Sequence, residues 1–372
     1  MKKILILYAK YGGGHFSAAN AIYNYLKTNE NLEIEMIDCI EYINKFLNTS
    51  TTGAYKFLAK KAPQAWKKIY YGAQKGVLSK VSNSTNILMA KKLNKLFKEY
   101  QPDIVISTHP FSTQMTSYIK RHYNYKCQLS TILTDFQPHD QWLVGHEYCN
   151  QFFVSNENIK EQLINKYKIN ENKIHVTGVP ISPRFLETFN DLEIYKEFNL
   201  NPSKKTILFF GGGEFGLGEK RTVEILKALC KHLDNYQIIA VSGKNKKMNM
   251  EFFNLKNSIQ NNDLHVFEYI NKVPELMHIS SIIFTKPGGL TSSESLVSGL
   301  PMVIINPIPG QEEENAEFLE KSGVGIWLKK EDNIDSVISS LLNDINKLNT
   351  MSECCKKLAK PNSTKEICKY IV

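Results

Sequence analysis

A chain of 372 residues, 42% hydrophobic and 22% charged, is long enough for two α/β domains with sizeable cores. Seven scattered cysteines, an odd number without a CxxC pair, predict a reducing compartment and disfavour a disulfide framework or a zinc ribbon. No apolar run approaches about 20 residues, and the short run after Met1 lacks a cleavage site, so the sequence favours neither a membrane-spanning helix nor a signal peptide.

Strand-like apolar runs alternate with helical patterns along the chain, which is typical of a parallel, doubly wound sheet. The runs fall into two series, and each series opens with a strand that ends in glycines. The first series is KILILYA, LEIEMID, DIVISTH, STILTD, QFFVS and IHVTGVP. The second series is TILFFGGG, YQIIAVSG, LHVFEYI, SIIFTKPGG, PMVIINP and GVGIWL.

The two series predict an α/β protein with two Rossmann-like domains, residues 1–185 and residues 186–345. A helical segment over residues 346–372 is expected to pack back toward the first domain. Prolines punctuate the junction near Gly178–Glu197, and its first part, Gly178–Pro183, is the expected hinge. Because ligands of such sheets bind at the carboxyl ends of the strands, we expect the domains to face each other across a ligand-binding cleft.

The segment from Tyr42 to Lys98, called here the lysine-rich segment, contains twelve lysines and no Asp, Glu or Arg. It carries +12, so the net charge of +9 leaves −3 for the rest of the chain. Its interspersed aromatic residues predict contact with anionic lipid headgroups. A solvated helical face is the simpler alternative, and nucleic acid is disfavoured because no arginine is present to read bases. The candidate membrane residues are Lys60, Lys61, Trp66, Lys67 and Lys68.

The first strand ends in a GGGH run whose last residue is His15, and a helix is predicted from about Phe16. Gly13 and Gly14 let the backbone turn and approach a ligand. A dinucleotide fingerprint, with Asp38 binding a ribose, is an alternative that lacks the third glycine. His15 suits a general base, because a helix N-terminus disfavours the imidazolium and lowers its pKa. A histidine that only caps its own helix is the structural alternative.

Two glycine-rich turns follow strands of the second series. GGGEFGLG contains Gly212 and Gly213, and KPGGLTSSE opens a helix whose N–H groups can hold a diphosphate. Glu294, one turn inside that helix, is placed to accept hydrogen bonds from a ribose. The two turns predict a nucleotide site, and neither is the GxxxxGK[ST] motif of a P-loop. The candidates in the second turn are Lys286, Gly288, Gly289, Leu290, Thr291 and Glu294.

The motif PGQEEENA follows the predicted strand PMVIINP. Gln311 and Glu312 place an amide and a carboxylate side by side, where they can hold sugar hydroxyls, and Asn315 shares a helical face with Gln311. An acidic first turn of a helix is the simpler interpretation, and both can hold at once. Because the chain has no Asp-x-Asp pair, we expect no metal on the diphosphate and assign its neutralisation to helix N-termini and Lys286.

The order and spacing of several motifs resemble those of the diacylglycerol glycosyltransferases, over nearly the whole chain. These motifs are YGGGHFSAA, QPDIVISTHP, ILTDFQPHDQWL, VTGVPISPRF, GGGEFG, TKPGGLTSSE and PGQEEENA. The family includes bacterial processive glucosyltransferases and plant monogalactosyldiacylglycerol synthases, in a wider group with the peptidoglycan glycosyltransferase that acts on lipid I. The resemblance implies a GT-B fold and an inverting transfer from a UDP-sugar to a lipid hydroxyl.

The resemblance also implies roles on the acceptor side. His15 resembles the base or acceptor-binding residue, and Asp135 either orients His15 or is itself the base; the sequence leaves both open. His139 matches a position near the reaction centre, and Trp142 is a further candidate for acceptor or membrane contact. The lysine-rich segment matches the part of the family that docks on membranes.

On the donor side, the resemblance assigns the UDP diphosphate to the KPGG turn and its helix. It assigns the ribose to Glu294 and the hexose to Gln311 and Glu312. We expect a peripheral protein at the cytoplasmic face of the cell membrane that uses a UDP-sugar, without a permanently bound cofactor, to make a β-glucosyl diacylglycerol. Galactosyl transfer, another lipid acceptor such as a polyprenyl-linked muropeptide, a UDP-sugar epimerase and a non-enzymatic membrane or nucleic-acid binder are the alternatives.

Overall fold

The structure is a computed structural model that describes residues 1–10, 13–44, 79–212 and 219–372. They form two compact units. The first unit comprises Met1–Pro183, Pro309–Gln311 and Lys360–Val372, and the second comprises Arg184–Ile308 and Glu312–Ala359. Among the residues described, no helix combines the length and the apolar character that crossing a bilayer requires.

Each unit contains a sheet of six strands, at the positions of the predicted runs. The strands of the first unit are β1 (Lys2–Tyr8), β2 (Leu32–Asp38), β3 (Ile104–Ser107), β4 (Gln128–Ile132), β5 (Gln151–Val154) and β6 (Ile174–Val176). Those of the second unit are β7 (Lys205–Phe210), β8 (Tyr236–Val241), β9 (Leu264–Phe267), β10 (Ser280–Thr285), β11 (Met302–Ile304) and β12 (Gly325–Trp327). All neighbouring strands are parallel, which confirms the two predicted Rossmann-like domains.

Fourteen α-helices are described around these sheets. In the order of the chain, they are α1 (Gly14–Leu26), α2 (Cys39–Asn44), α3 (Ser79–Tyr100), α4 (Pro110–His122), α5 (Glu157–Asn165), α6 (Asp191–Glu197), α7 (Glu219–Leu229), α8 (Lys246–Ile259), α9 (Val273–Ile279), α10 (Gly289–Val297), α11 (Gln311–Lys321), α12 (Ile334–Asn343), α13 (Ile345–Leu358) and α14 (Ser363–Ile371).

Both faces of the first sheet are buried. Successive residues of a strand point to opposite faces, so Leu5 and Leu7 of β1 enter one core, together with residues of α3, α4 and α5. Ile4 and Ile6 enter the other core, with residues of α1 and α14. Burial on both faces explains why the strands read as nearly continuous apolar runs.

The last helices of the chain belong to different units. Leu348 and Met351 of α13 lie in the core of the second unit. Ile367 of α14 lies in the core of the first unit, and the Thr364 hydroxyl donates a hydrogen bond of 2.7 Å to the Ile181 carbonyl. The final residues of the chain therefore complete the first unit.

The strand order places two loops beside each other in each unit. The first sheet has the order β2-β1-β3-β4-β5-β6, so β2 is added on one side of β1 and β3 on the other, and the strand order reverses between β1 and β3. The second has the order β12-β11-β10-β7-β8-β9, the arrangement of a Rossmann sheet, and reverses between β7 and β10. Ligands of open α/β sheets bind beyond the carboxyl ends of the strands at such reversals.

Candidate active site

His15 lies at the reversal of the first sheet, as the second residue of α1. Its Nδ1 is 2.6 Å from the carbonyl oxygen of Thr108, which follows β3, and 3.1 Å from Thr134 Oγ1. The Thr108 hydroxyl in turn donates to the His15 carbonyl at 2.9 Å. Because a carbonyl only accepts, Nδ1 carries the proton and the lone pair of the neutral ring is on Nε2. His15 therefore does not cap its own helix.

The surroundings of His15 favour the neutral ring. Burial lowers its pKa below the ordinary value of 6.5, whereas the Asp135 carboxylate and the Thr108 carbonyl act in the opposite direction. Burial prevails because the imidazolium loses more hydration than the two oxygens replace. A neutral imidazole at pH 7 with a free Nε2 lone pair is a competent general base.

Asp135 follows β4 and is held in place from several directions. Its Oδ2 accepts the indole N–H of Trp142 at 3.2 Å and lies 3.7 Å from Nε2 of His139. Its backbone carbonyl accepts the Ser155 hydroxyl at 2.8 Å. The structure thus fixes one carboxylate close to two histidines, as the predicted roles of Asp135 require.

Trp142 corrects one expectation. We predicted that it contacts an acceptor or the membrane, but its side chain is 0% exposed and lies in the core of the first unit. In the structure, the Trp142 indole N–H instead holds the Asp135 carboxylate in place. His139 is also buried, and burial lowers its pKa against the opposing charge of Asp135. Its predicted place near the reaction centre stays a prediction.

The loop that carries Asp135 and His139 is braced by α5 and the residues around it. Asn156 donates to the Phe136 carbonyl at 3.0 Å. Gln162 donates to the Gln137 side chain at 3.0 Å, and the Tyr167 hydroxyl bonds to Asp140. These contacts preorganise the loop without help from a ligand.

Sequence reasoning missed three residues that contact His15: Thr108, Thr134 and His109. The His109 ring lies with its centroid 4.5 Å from that of His15, at an interplanar angle of 72°. The signal was available, since Thr108 and His109 are the last two residues of the predicted strand run DIVISTH. The contact was missed because it depends on the strand order, which places β3 beside β1 and is not visible in the sequence.

The second unit has its own candidate site, at the reversal between β7 and β10. Helix α10 begins after Gly288, whose backbone is extended (φ −68°, ψ 139°), and no described side chain caps it. A Cβ added to Gly288 would meet no described atom within 4 Å. Unfilled N–H groups beside open space, with the helix dipole behind them, suit an anion such as a diphosphate.

Lys286 supplies a positive charge at this turn. Gly212, at φ +95°, lies so close that an added Cβ would be 3.1 Å from Lys286 Cε, which explains the need for glycine there. Burial lowers the pKa of Lys286, and the Glu312 carboxylate opposes that shift. A partly desolvated ammonium group interacts strongly with an incoming phosphate.

Glu294 lies in the second turn of α10 and is half-buried. Burial raises its pKa from 4.5 to about 8. No donor or cation of the described residues pairs with its carboxyl group. A carboxylate in such a position gains from hydroxyl donors that a ligand brings, such as those of a ribose.

The third motif, PGQEEENA, supports the KPGG turn. Asn315 is 1% exposed and donates from Nδ2 to the Pro287 carbonyl at 3.1 Å. Its amide therefore supports the KPGG turn, and its predicted place in the donor site stays a prediction. Glu312 accepts the Ile308 N–H at 2.6 Å and acts on Lys286. Gln311 is the first residue of α11.

The remaining predicted residues have the following positions. Leu290 and Thr291 lie in the first turn of α10, with Gly289 as its first residue. Gly13 and Gly14 belong to the first unit, where Gly13 is the N-cap of α1. Some predicted residues lie outside the described residues, namely Lys60, Lys61, Trp66, Lys67, Lys68 and Gly213.

Comparison with known families accounts for both halves of the chain. Residues 15–181 match the family model described as monogalactosyldiacylglycerol (MGDG) synthase. Residues 206–367 match the model of the glycosyltransferase family 28 C-terminal domain. A processive diacylglycerol beta-glucosyltransferase of Bacillus subtilis is 30% identical over 375 residues, which cover 100% of this chain and 95% of that protein.

Solved structures resemble the whole chain in fold. MurG of Acinetobacter baumannii aligns with a TM-score of 0.66 at 15% identity, over 100% of this chain and 99% of that one. The UDP-GlcNAc 2-epimerase of Neisseria meningitidis, solved with UDP-GlcNAc, aligns with a TM-score of 0.65 at 15% identity, over 99% of each chain. At this identity the likeness bears on the fold alone, and it confirms the predicted GT-B fold.

Proposed function

Because the chain belongs to the diacylglycerol glycosyltransferase family, we propose that it transfers glucose from UDP-glucose to the free hydroxyl of 1,2-diacylglycerol. The Bacillus subtilis relative, a processive diacylglycerol beta-glucosyltransferase, supports both the sugar and the acceptor. The MGDG synthase match over residues 15–181 supports diacylglycerol independently of that relative. The product is a β-glucosyl diacylglycerol.

The observation that carries this proposal is the tautomer of His15. With Nδ1–H bonded to the Thr108 carbonyl, Nε2 takes the proton of the acceptor hydroxyl while its oxygen bonds to the anomeric carbon. The bond from that carbon to the β-phosphate oxygen breaks, and UDP leaves with the electron pair. Attack opposite UDP converts an α-linked donor into a β-linked product. Asp135 stabilises the imidazolium that forms.

The second unit supplies the groups that bind the diphosphate and the ribose in this proposal. The N-terminus of α10 and Lys286 hold the diphosphate and neutralise the charge that develops on leaving UDP. Glu294 accepts hydrogen bonds from the ribose, and Gln311 and Glu312 contact the hexose. A UDP-sugar donor agrees with this fold, since the Neisseria meningitidis protein of the same fold was solved with UDP-GlcNAc.

We propose further that the protein docks peripherally on the cytoplasmic face of the membrane through the lysine-rich segment. The end of α3 supports this, because Leu93, Leu96 and Phe97 are buried while three lysines are exposed. One of them, Lys95, lies 3.7 Å from the carboxylate of Glu99. Exposed lysines attract anionic lipid by about 1 kcal/mol each. The exposed lysines of this part are Lys91, Lys95 and Lys98.

A transfer assay tests the proposed function. The protein is incubated with diacylglycerol in anionic liposomes and with radiolabelled UDP-glucose or UDP-galactose, and the lipids are then separated. We expect label from UDP-glucose in a β-glucosyl lipid. Label only from UDP-galactose changes the donor, and conversion of the UDP-sugar without labelled lipid contradicts lipid transfer.

A further inference from the structure

His109 caps a helix with an imidazole, although Ser, Thr, Asp and Asn are the usual N-cap residues. It is the N-cap of α4, and its Nδ1 accepts the Phe111 N–H at 3.1 Å. An accepting Nδ1 carries no proton, so the neutral ring is protonated at Nε2. The tautomer of His109 is therefore fixed, and it is opposite to that of His15.

Hydrogen bonds fix the backbone of His109, which directly follows the carbonyl that contacts His15. Its carbonyl accepts the hydroxyls of Ser107 at 2.9 Å and Ser112 at 2.8 Å. With the side-chain cap, these bonds hold His109 in an extended conformation (φ −143°, ψ 141°). The preceding carbonyl, that of Thr108, is the one that accepts Nδ1–H of His15. The peptide group between Thr108 and His109 therefore links the cap of α4 to the orientation of the His15 ring.

The choice of imidazole also matters for charge. An aspartate would cap α4 equally well but would place a negative charge beside His15 and favour its protonated form. The other titratable groups that act on His15 or its neighbours are Asp135 and His139, with Asp140 acting on His139. One carboxylate, Asp135, already favours the imidazolium, and a second beside it would raise the pKa of His15 further.

We infer that His109 is a positioning residue, which through its neutral cap on α4 holds the Thr108 carbonyl against His15 and keeps His15 as a neutral, Nε2-accepting base. The inference rests on the proposed function for the role of His15 as a base. Its geometric part concerns only the tautomer and the charge of His15, which can be measured without turnover.

The matched pair His109→Asn and His109→Asp separates the effect of the helix cap from the effect of a charge beside His15. Both side chains cap helices and have the same shape, but only one carries a charge. Histidine-labelled protein is titrated by NMR, and the nitrogen shifts of His15 report its tautomer and its titration midpoint. We expect Nδ1–H in the wild type, an unchanged midpoint in His109→Asn, and a midpoint raised by roughly 1–3 pH units in His109→Asp. His109→Ala, which removes the cap, should give a mixture of tautomers.

Kinetics complete the test. In His109→Asp, the midpoint of the acid limb in the pH profile of kcat/KM for the acceptor should move up by the same number of pH units as the NMR midpoint. The KM for UDP-sugar should not change. His109→Asn should keep most of the activity. Equal His15 midpoints in the two variants, or an unprotonated Nδ1 in the wild type, overturn the inference whatever the rates are. A shifted NMR midpoint with an unshifted rate profile leaves the positioning role intact and instead contradicts His15 as the base.

Discussion

At the scale of single residues, burial shifts two pKa values in opposite directions, and each shift suits the chemistry proposed. The pKa of His15 is lowered, so the base is free at neutral pH. The pKa of Glu294 is raised to about 8, so its carboxyl group gains most when a ligand supplies hydroxyl donors. In both cases desolvation of the charged form is the leading cause.

The lowered pKa of His15 predicts the pH dependence of transfer. The base acts when it is neutral, so kcat/KM for the acceptor should fall as the pH is lowered, with a midpoint below 6.5. The rate is measured at saturating UDP-sugar, so that donor binding does not contribute. A midpoint above 6.5 would show that His15 is not held neutral.

The raised pKa of Glu294 predicts how UDP binding depends on pH. Ribose hydroxyls stabilise the carboxylate, so binding releases a proton below pH 8, and UDP affinity should tighten up to tenfold per unit as the pH approaches 8. Calorimetry in buffers of different ionisation enthalpy measures the released proton. Glu294→Gln should lose this dependence while keeping the dependence due to the phosphates. Equal pH slopes for the two proteins contradict the ribose contact.

Local patterns revealed some site residues and concealed others. His15, Lys286 and Glu294 could be predicted because each stands at or just beyond a glycine turn that ends a strand. His109 could not, because its contact with His15 depends on strand order. The burial of Trp142 was equally hidden, since an aromatic residue in a polar loop looks the same whether it faces solvent or the core.

At the scale of secondary-structure elements, the two site helices begin differently. Helix α4 has a side-chain cap, because His109 Nδ1 accepts the Phe111 N–H. Helix α10 begins at Gly288 without a described side-chain cap. The dipole and the free N–H groups of α10 are therefore available to an anionic ligand.

Gly288→Ala tests this difference. The backbone at Gly288 suits alanine, and its Cβ would meet no described atom, so stability should change by less than about 1 kcal/mol. The methyl group would nevertheless enter the space assigned to the diphosphate, and UDP affinity should fall at least tenfold. Thermal melts and calorimetry measure the two quantities.

Gly13→Ala is the matched control for this prediction. Gly13 is likewise an N-cap with negative φ and no described atom within 4 Å of an added Cβ, but it belongs to the first unit. The Gly13→Ala variant should therefore bind UDP as tightly as the wild type does. Equal losses in both variants would mean that the diphosphate does not lie at α10.

The sheets were predictable from the sequence because parallel strands buried on both faces are read as short, continuous apolar runs. All twelve runs became strands. The assignment of the last helices to the two units was harder to predict. Both α13 and α14 are amphipathic, and nothing in their sequences says that Leu348 joins one core and Ile367 another.

At the scale of the whole molecule, the charge is distributed unevenly along the chain. The lysine-rich segment carries +12, and the rest of the chain carries −3. Attraction to an anionic bilayer should therefore be concentrated in this segment rather than spread over the surface. The sequence alone is sufficient for this argument, because it depends on composition and not on packing.

Replacing four lysines of this segment by glutamine should weaken binding to anionic vesicles by up to about 4 kcal/mol, and added salt should reduce the difference. Vesicle sedimentation at several ionic strengths measures the effect. A control with four lysines of the second unit keeps the same change in net charge and should bind nearly as the wild type does. Equal weakening in both proteins contradicts local docking. The segment variant changes Lys60, Lys61, Lys67 and Lys68, and the control changes Lys244, Lys246, Lys321 and Lys330.

The most direct test of the central claim is His15→Ala with two readouts, glucosyl transfer to diacylglycerol and UDP affinity by calorimetry. His122→Ala, a change at an exposed histidine of the same unit, is the control. We expect transfer to fall by about 10²–10⁴-fold in His15→Ala, with UDP affinity within twofold of the wild type, because the base and the nucleotide site belong to different units. Transfer that persists near the wild-type rate, or UDP affinity lost together with activity, would contradict the account.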